Sequence, residues 1–252
     1  METLKDIKHN WDEFAKVDPL WSILPLPEKK NNLWSVQELF ATGQEEINSV
    51  MIYIDSLNIK TGKQKALDFG CGVGRLTQAL ALYFQECYGI DISSTMLGLA
   101  KKYNQFGDRC KYILNCSNNL KIFKDSTFDF IYSNIVFQHI PPEYTLEYIK
   151  EFFRIIKPDG LIIFQIAVQK LPIIGTGMRN FLKQVVPLQL RRFYKRLRYG
   201  TWAIKDMYCI KKDDLDKFIK THAGEIVDTT LDKSTLPRYK SLRYCIKKCS
   251  KS

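Results

Sequence analysis

The chain has 252 residues, 45% of them hydrophobic, enough for one sizeable core, and 38 Lys and Arg against 27 Asp and Glu leave a net charge of +11. No apolar run approaches the roughly 18 residues of a membrane span, and the opening M-E-T-L-K-D-I-K-H-N-W-D has neither a basic nor an apolar leader segment, so a cytoplasmic protein is expected. Seven cysteines without a C-x-x-C pair and histidines scattered at 9, 139 and 222 argue against a disulfide framework or a zinc site, and no metal is expected.

In chain order, residues 1–60 read as a helical cap with aromatic punctuation: Trp11, Phe14, Trp21, Leu33, Trp34, Leu39 and Phe40, interrupted by L-P-L-P at Leu24 to Pro27, which cannot continue a helix. Ala66 to Gly74 then reads A-L-D-F-G-C-G-V-G, an apolar strand carrying Asp68 that breaks into three alternate glycines and restarts as a helix at Arg75 to Leu82. Glycines in such a turn let backbone approach a ligand where any Cβ would collide. A dinucleotide fingerprint would place its third glycine where Arg75 stands, which weakens an NAD reading. Tyr88 to Ile90 closes a second strand at Asp91, about 20 residues past the glycines, where a carboxylate can accept ribose hydroxyls. A helix over Ile92 to Lys102 follows, capped by Ser93 or Ser94, then L-N-C-S-N-N-L at Leu114 to Leu120. Phe128 to Ser133 is a fourth strand, leading into N-I-V-F-Q-H-I, and I-K-P-D-G at 156–160 forms a turn before a fifth strand, Leu161 to Val168. A basic stretch, a last helix (Lys212 to His222) and two closing strands (Gly224 to Thr230, Leu242 to Lys248) complete a single α/β domain over 1–252. Within it, 1–60 is the cap, 61–168 the nucleotide-binding core, 169–206 a basic helical insertion or lid, and 207–252 the closing helix and strands.

D-x-G-x-G-x-G at Asp68 to Gly74, with Asp91, F-D-F-I-Y-S and K-P-D-G in register, resembles the class I S-adenosylmethionine (SAM) dependent methyltransferases, of the bacterial small-molecule type, over roughly residues 61 to 168. The resemblance implies a doubly wound, mostly parallel seven-stranded sheet with an antiparallel last strand, SAM as cofactor and S-adenosylhomocysteine (SAH) as product. It implies that Asp68, Gly70, Cys71, Gly72 and Arg75 cradle the methionyl part and that Asp91 holds the ribose. Ile92, Met96 and Ser117 then flank the adenine, and Asn134 lies beside the cofactor. Cys116 stands where the family usually writes Asp, so an adenine contact from that side chain is not assumed. W-x-x-x-A-x-x-D-P-x-W at Trp11 to Trp21 and W-S-V-Q-E-L-F-A-T-G at Trp34 to Gly43 resemble N-terminal caps of such enzymes, which puts Phe40, Thr42 and Gly43 near the cofactor.

The acceptor is argued from charge. Leu171 to Lys205 carries eight Lys and Arg, Arg191 and Arg192 among them, and no acid, with Leu190, Phe193, Tyr194 and Leu197 on one helical face. Three readings stand: a lid whose cations meet an anionic substrate, a patch for anionic lipid or nucleic acid, or a solvated helix face. A small, anionic, phosphorylated or sugar-type acceptor methylated on oxygen is the leading reading. His139, just past the fourth strand, is the candidate general base, with Tyr132, Gln138, Tyr144, Arg191 and Arg192 on the substrate side. A base-amine methylase needs D/N-P-P-Y/F/W after the fourth strand, where this chain has S-N-I-V, so nucleic acid is an unlikely partner. Peripheral membrane contact stays open, and the oligomeric state is not legible. The alternatives are an RNA or membrane-associated lipid or quinone methyltransferase and a non-catalytic SAM-binding protein.

Overall fold

The computed structural model describes residues 2–172, 186–187, 190, 206–222, 224–234 and 238–248. Its centre is β1 (Lys65–Phe69), whose apolar residues are buried because strands lie on both sides and helices on both faces. The strands β2 (Glu86–Asp91), β3 (Cys110–Leu114), β4 (Phe128–Ser133), β5 (Ile156–Lys170), β6 (Gly224–Asp232) and β7 (Tyr239–Lys248) complete one sheet in the order β3-β2-β1-β4-β5-β7-β6. The first five strands are parallel, while β7 runs antiparallel to both β5 and β6. This is the seven-stranded sheet that the resemblance implied. Strand order reverses between β1 and β4, so the crevice beyond their carboxyl ends is the place for a ligand.

Helix α3 (Val36–Ser56) and α4 (Arg75–Leu80) cover one face through Ile47, Val50 and Leu80 against Phe130 and Ile163. The other face is covered by α6 (Pro142–Ile155) and α7 (Lys212–Thr221), with Ile149, Phe152 and Leu215 packed on Ile131, Phe164 and Tyr244. The N-terminal cap is α1 (Leu4–Val17) and α2 (Pro19–Ile23), and Ala15, Leu20, Trp34 and Leu39 pack with Val73 and with Met96 of α5 (Ser94–Tyr103). Reciprocal capping boxes start α1, between Thr3 and Asp6, and α3, between Ser35 and Glu38. The L-P-L-P break holds its carbonyls on indoles: Trp34 Nε1 donates to Leu24 O at 3.0 Å and Trp21 Nε1 to Leu26 O at 2.8 Å.

Several element ends differ from the sequence reading, two of them inside the core. Helix α4 ends at Leu80, two residues early. The I-K-P-D-G turn is taken into β5, where the register with β4 shifts between Phe128 and Phe130 and Asp159 sits at φ +63°. Pro158 has no N–H for the ladder, and a left-handed residue beside it makes an irregularity rather than a strand end. Among the described residues, no helix is long and apolar enough to cross a membrane.

Candidate active site

The turn from β1 to α4 is pinned first by backbone: the N–H groups of Gly70 and Cys71 both donate to Ile90 O, at 2.9 and 3.0 Å. Gly70 has φ +76° and Gly72 φ +53°, a region that side-chain-bearing residues rarely adopt. A Cβ at Gly70 would stand 2.5 Å from Val136 Cγ2, and one at Gly72 2.8 Å from Ile23 Cδ1. The loop therefore presents bare main chain toward the crevice, with apolar side chains closing on it.

Three charged groups surround this loop. Asp68 is buried, accepts from Thr77 Oγ1 at 2.6 Å through Oδ2, and has no partner on Oδ1. Burial pushes its carboxyl up to about 7, with the Thr77 hydrogen bond and the Arg75 charge opposing. Asp91, at the end of β2, accepts the N–H of Gly72 on one oxygen and that of Ser93 on the other, both at 2.8 Å. Burial raises its carboxyl too, against the pull of those N–H groups. Each carboxylate oxygen keeps a lone pair for a further donor. Arg75 is buried, donates from Nη1 to Thr42 Oγ1 at 3.2 Å, and has no partner on Nε, while burial lowers its pKa.

A cleft opens here. Its floor is Gly70, Cys71, Gly72 and Arg75, and its far wall is Asp91, Ile92, Met96 and Asn115. Leu4, Ile7 and Trp11 of α1 and Ile23 of α2 roof it, and Asn134, Ile135, Val136, His139, Ile140 and Tyr148 close the remaining side. Helix α1 is fixed to α5 by Asp12, whose Oδ1 accepts from Ser93 Oγ at 2.6 Å and from Thr95 N at 3.3 Å. Its start is fixed by Glu2, which accepts from Tyr208 Oη at 2.9 Å and Asn10 Nδ2 at 3.0 Å.

His139 is buried in a chain of hydrogen bonds whose direction is set by its ends. Ile135, a β-branched residue at φ +61°, donates its N–H to Gln165 Oε1 at 3.1 Å. Gln165 Nε2 donates to Gln138 Oε1 at 3.3 Å, which leaves Gln138 Nε2 to donate to His139 Nε2 at 3.2 Å. His139 Nδ1 lies 2.9 Å from Asp206 O, and a carbonyl only accepts, so the proton sits on Nδ1. The Nε2 lone pair, the one a base would use, is taken by Gln138.

Asp68, at the end of β1, sits under the glycine loop with Gly70, Cys71, Gly72 and Arg75, and Asp91, Ile92, Met96, Asn134 and His139 share the cleft. The remaining expected residues stand elsewhere. Thr42 and Gly43 lie behind Arg75, and a Cβ at Gly43 would come within 2.6 Å of Arg75 O, so that glycine serves a close helix approach. Cys116 is exposed and outside the lining. The Ser117 N–H lies 3.4 Å from Asn115 Oδ1, its carbonyl accepts from Tyr148, and the residue is outside the cleft lining. Tyr132 is buried with its hydroxyl on Glu46, Gln138 is hydrogen-bonded to His139, and Tyr144, in the first turn of α6, packs against the core. Arg191 and Arg192 fall outside the described residues.

Among the residues that went unread in the sequence are two polar ones. Asn115 lines the cleft one position before Cys116, at the strand end already singled out. Glu46 of α3 accepts on Oε1 from Tyr132, from Asn134 Nδ2 at 3.2 Å and from Arg243 at 2.8 Å, and no sequence signal marked it.

The comparisons agree with this geometry. Residues 67–164 match the family model described as "Methyltransferase domain". A phosphoethanolamine N-methyltransferase of Triticum aestivum is 33% identical over 46% of the chain, which spans only 23% of that relative's length. A demethylmenaquinone methyltransferase of Staphylococcus haemolyticus is 23% identical, over 78% of the chain and 86% of the relative. The crystal structure of magnesium protoporphyrin IX methyltransferase from Synechocystis with bound SAH superposes with a TM-score of 0.66 at 18% identity, covering 98% of this chain and 100% of that one, a likeness of fold. Residues 67–164 thus match a methyltransferase domain, and the strand order and glycine loop are those of the class I SAM-dependent methyltransferase fold. The residues present fit that cofactor: bare main chain at Gly70 and Gly72, an unpartnered carboxylate oxygen on Asp68 and an unpartnered guanidinium nitrogen on Arg75.

Proposed function

We propose that this chain transfers the methyl group of SAM to an oxygen of a small, anionic metabolite. The backbone of Gly70 and Gly72, lining the cleft beside Arg75 and Asp91 and above Asp68, is the observation that carries the reading. Gly70 and Gly72 would cradle the methionyl part with Asp68 near its ammonium and Arg75 near its carboxylate, Asp91 would hold the ribose hydroxyls, and Met96 and Ile92 the adenine. When bound, SAM supplies an electrophilic methyl on a sulfonium, so the protein's part is to position the acceptor and exclude water. His139, with its Nε2 engaged by Gln138, orients the acceptor and holds the loop after β4 rather than serving as the base. The anionic character of the acceptor rests on the basic stretch Leu171 to Lys205, and the likeness to phosphoethanolamine methyltransferases supports it.

Calorimetry with SAH tests the core of this. Tight binding is expected, and Asp91→Ala should weaken it by about 1 to 3 kcal/mol through lost charge-assisted hydrogen bonds. Wild-type affinity for another nucleotide with none for SAH would overturn the proposal.

A further inference from the structure

We propose that the roofed half of the cleft is a dry subsite for a planar ring, and that the acceptor oxygen is an ionisable ring hydroxyl, a phenol or enol. This rests on the methyl-transfer reading above and names its acceptor class. The side chains that face the glycine backbone directly are Val136 and Ile23, and Ile7, Trp11, Ile135 and Ile140 extend the same apolar surface. The indole of Trp11 meets the His139 ring edge-on, centroids 5.6 Å apart, so an aromatic pair closes the end of this half.

The polar inventory of the roof narrows the acceptor further. Among the described lining residues the cation is Arg75, which lies on the glycine-loop side. A phosphate or polyhydroxyl group seated against Ile7, Ile23 and Val136 would lose its water without gaining partners, an unfavourable transfer. His139 has both ring nitrogens engaged, by Gln138 and by Asp206 O. An aliphatic alcohol, which needs a base during attack, is poorly served by such a site. A ring hydroxyl ionises near pH 10 in water even when unassisted, so its proton is left in bulk solvent before the ring enters, and the sulfonium charge offsets the cost of desolvating the phenolate without a protein base. The ring oxygen then forms its bond to the methyl carbon as the carbon–sulfur bond breaks, the electron pair staying on sulfur, and phenolate and sulfonium charges cancel in one step. The anionic acceptor and the apolar lining are reconciled because the negative charge is the reacting oxygen itself.

The test uses the full chain and 2-naphthol as probe, with phosphoethanolamine and glucose 6-phosphate for contrast. Calorimetry first establishes SAH binding, and each probe is then titrated into the SAH-saturated protein. Saturable 2-naphthol binding is expected, with methyl transfer to its oxygen from labelled SAM. Trp11→Ala and Ile7→Ser should each raise the KM for 2-naphthol about tenfold while SAH affinity stays within about twofold, and Trp11→Phe should restore most of the loss. Unchanged SAH affinity shows that each variant is folded. Failure of 2-naphthol to bind the SAH-saturated chain, or binding indifferent to both roof substitutions, overturns the ring subsite alone. Failure to bind SAH overturns the methyl-transfer reading and this inference with it.

Discussion

The two halves of the cleft are built by different physics. The glycine-loop half is backbone and buried carboxylate, made within one stretch from Asp68 to Met96, where each partner lies a short way along the chain. The roof is apolar side chains from α1 and α2 laid over the loop after β4, joined by contacts between distant segments: Asp12 to Ser93, Glu2 to Tyr208, Trp11 to His139. The first half is rigid and chemically general, suited to the cofactor that the whole class shares. The second, in the reading proposed above, sets what is methylated, and it meets the cradle through Val136 and Ile23.

That division can be broken from the loop side most forcefully. Gly70→Val adds a left-handed strain and a collision with Val136, together about 3 kcal/mol or more of stability, read as a lower urea midpoint with SAH binding lost. If Val136 simply yields and SAH still binds, the cradle is less rigid than described.

A titration separates the halves next. The Asp68 carboxyl is held up to about 7 in the fold, against its ordinary value near 4 in the unfolded chain. The native state therefore binds this proton more tightly, and stability is greater below pH 7 and lost as pH rises through it. Between about pH 5 and pH 8 the wild type should lose roughly 2 to 3 kcal/mol from this group, and Asp68→Asn should lose that part of the slope, measured by urea unfolding across pH.

Smaller effects probe what holds each half from behind. Glu46→Gln weakens the acceptor of Tyr132, Asn134 and Arg243, leaving Arg243 paired with Asp232 at 2.9 Å, and should lower stability by about 1 to 2 kcal/mol since the pair is only partly buried. Asp12→Ala unfastens α1 from α5 but leaves the Ser93 cap on Met96 N, so a loss of about 1 kcal/mol is expected, with SAH affinity nearly unchanged. A large drop in SAH affinity from Asp12→Ala would show the roof to be part of the cradle.

How far the sequence disclosed this site follows the same line. The turn at Gly70 and Gly72, Asp91 and Met96 were legible because spacing along one βαβ unit fixes them, and the sheet followed from alternating apolar runs. Thr42 and Gly43 were drawn to the cofactor by pattern, yet a glycine in a helix serves a close helix approach equally well, and here it receives Arg75. Tyr132 shows the limit in a buried parallel strand: apolar residues on both faces leave no alternation to say which way a side chain points, and it points to Glu46. The roof could not be read because Leu4, Ile7 and Trp11 of α1 become cleft residues only once α1 is folded over a loop beginning more than a hundred positions later.

The lone oxygen of Asp68 has a consequence for how ligand binding is measured. A carboxyl poised near neutrality gives up its proton when a cationic ammonium arrives beside it, so heats of SAH binding near pH 7 should vary with the ionisation enthalpy of the buffer. The number of protons released, read from that variation and compared with Asp68→Asn, reports the charge on the Asp68 side chain beneath the glycine loop.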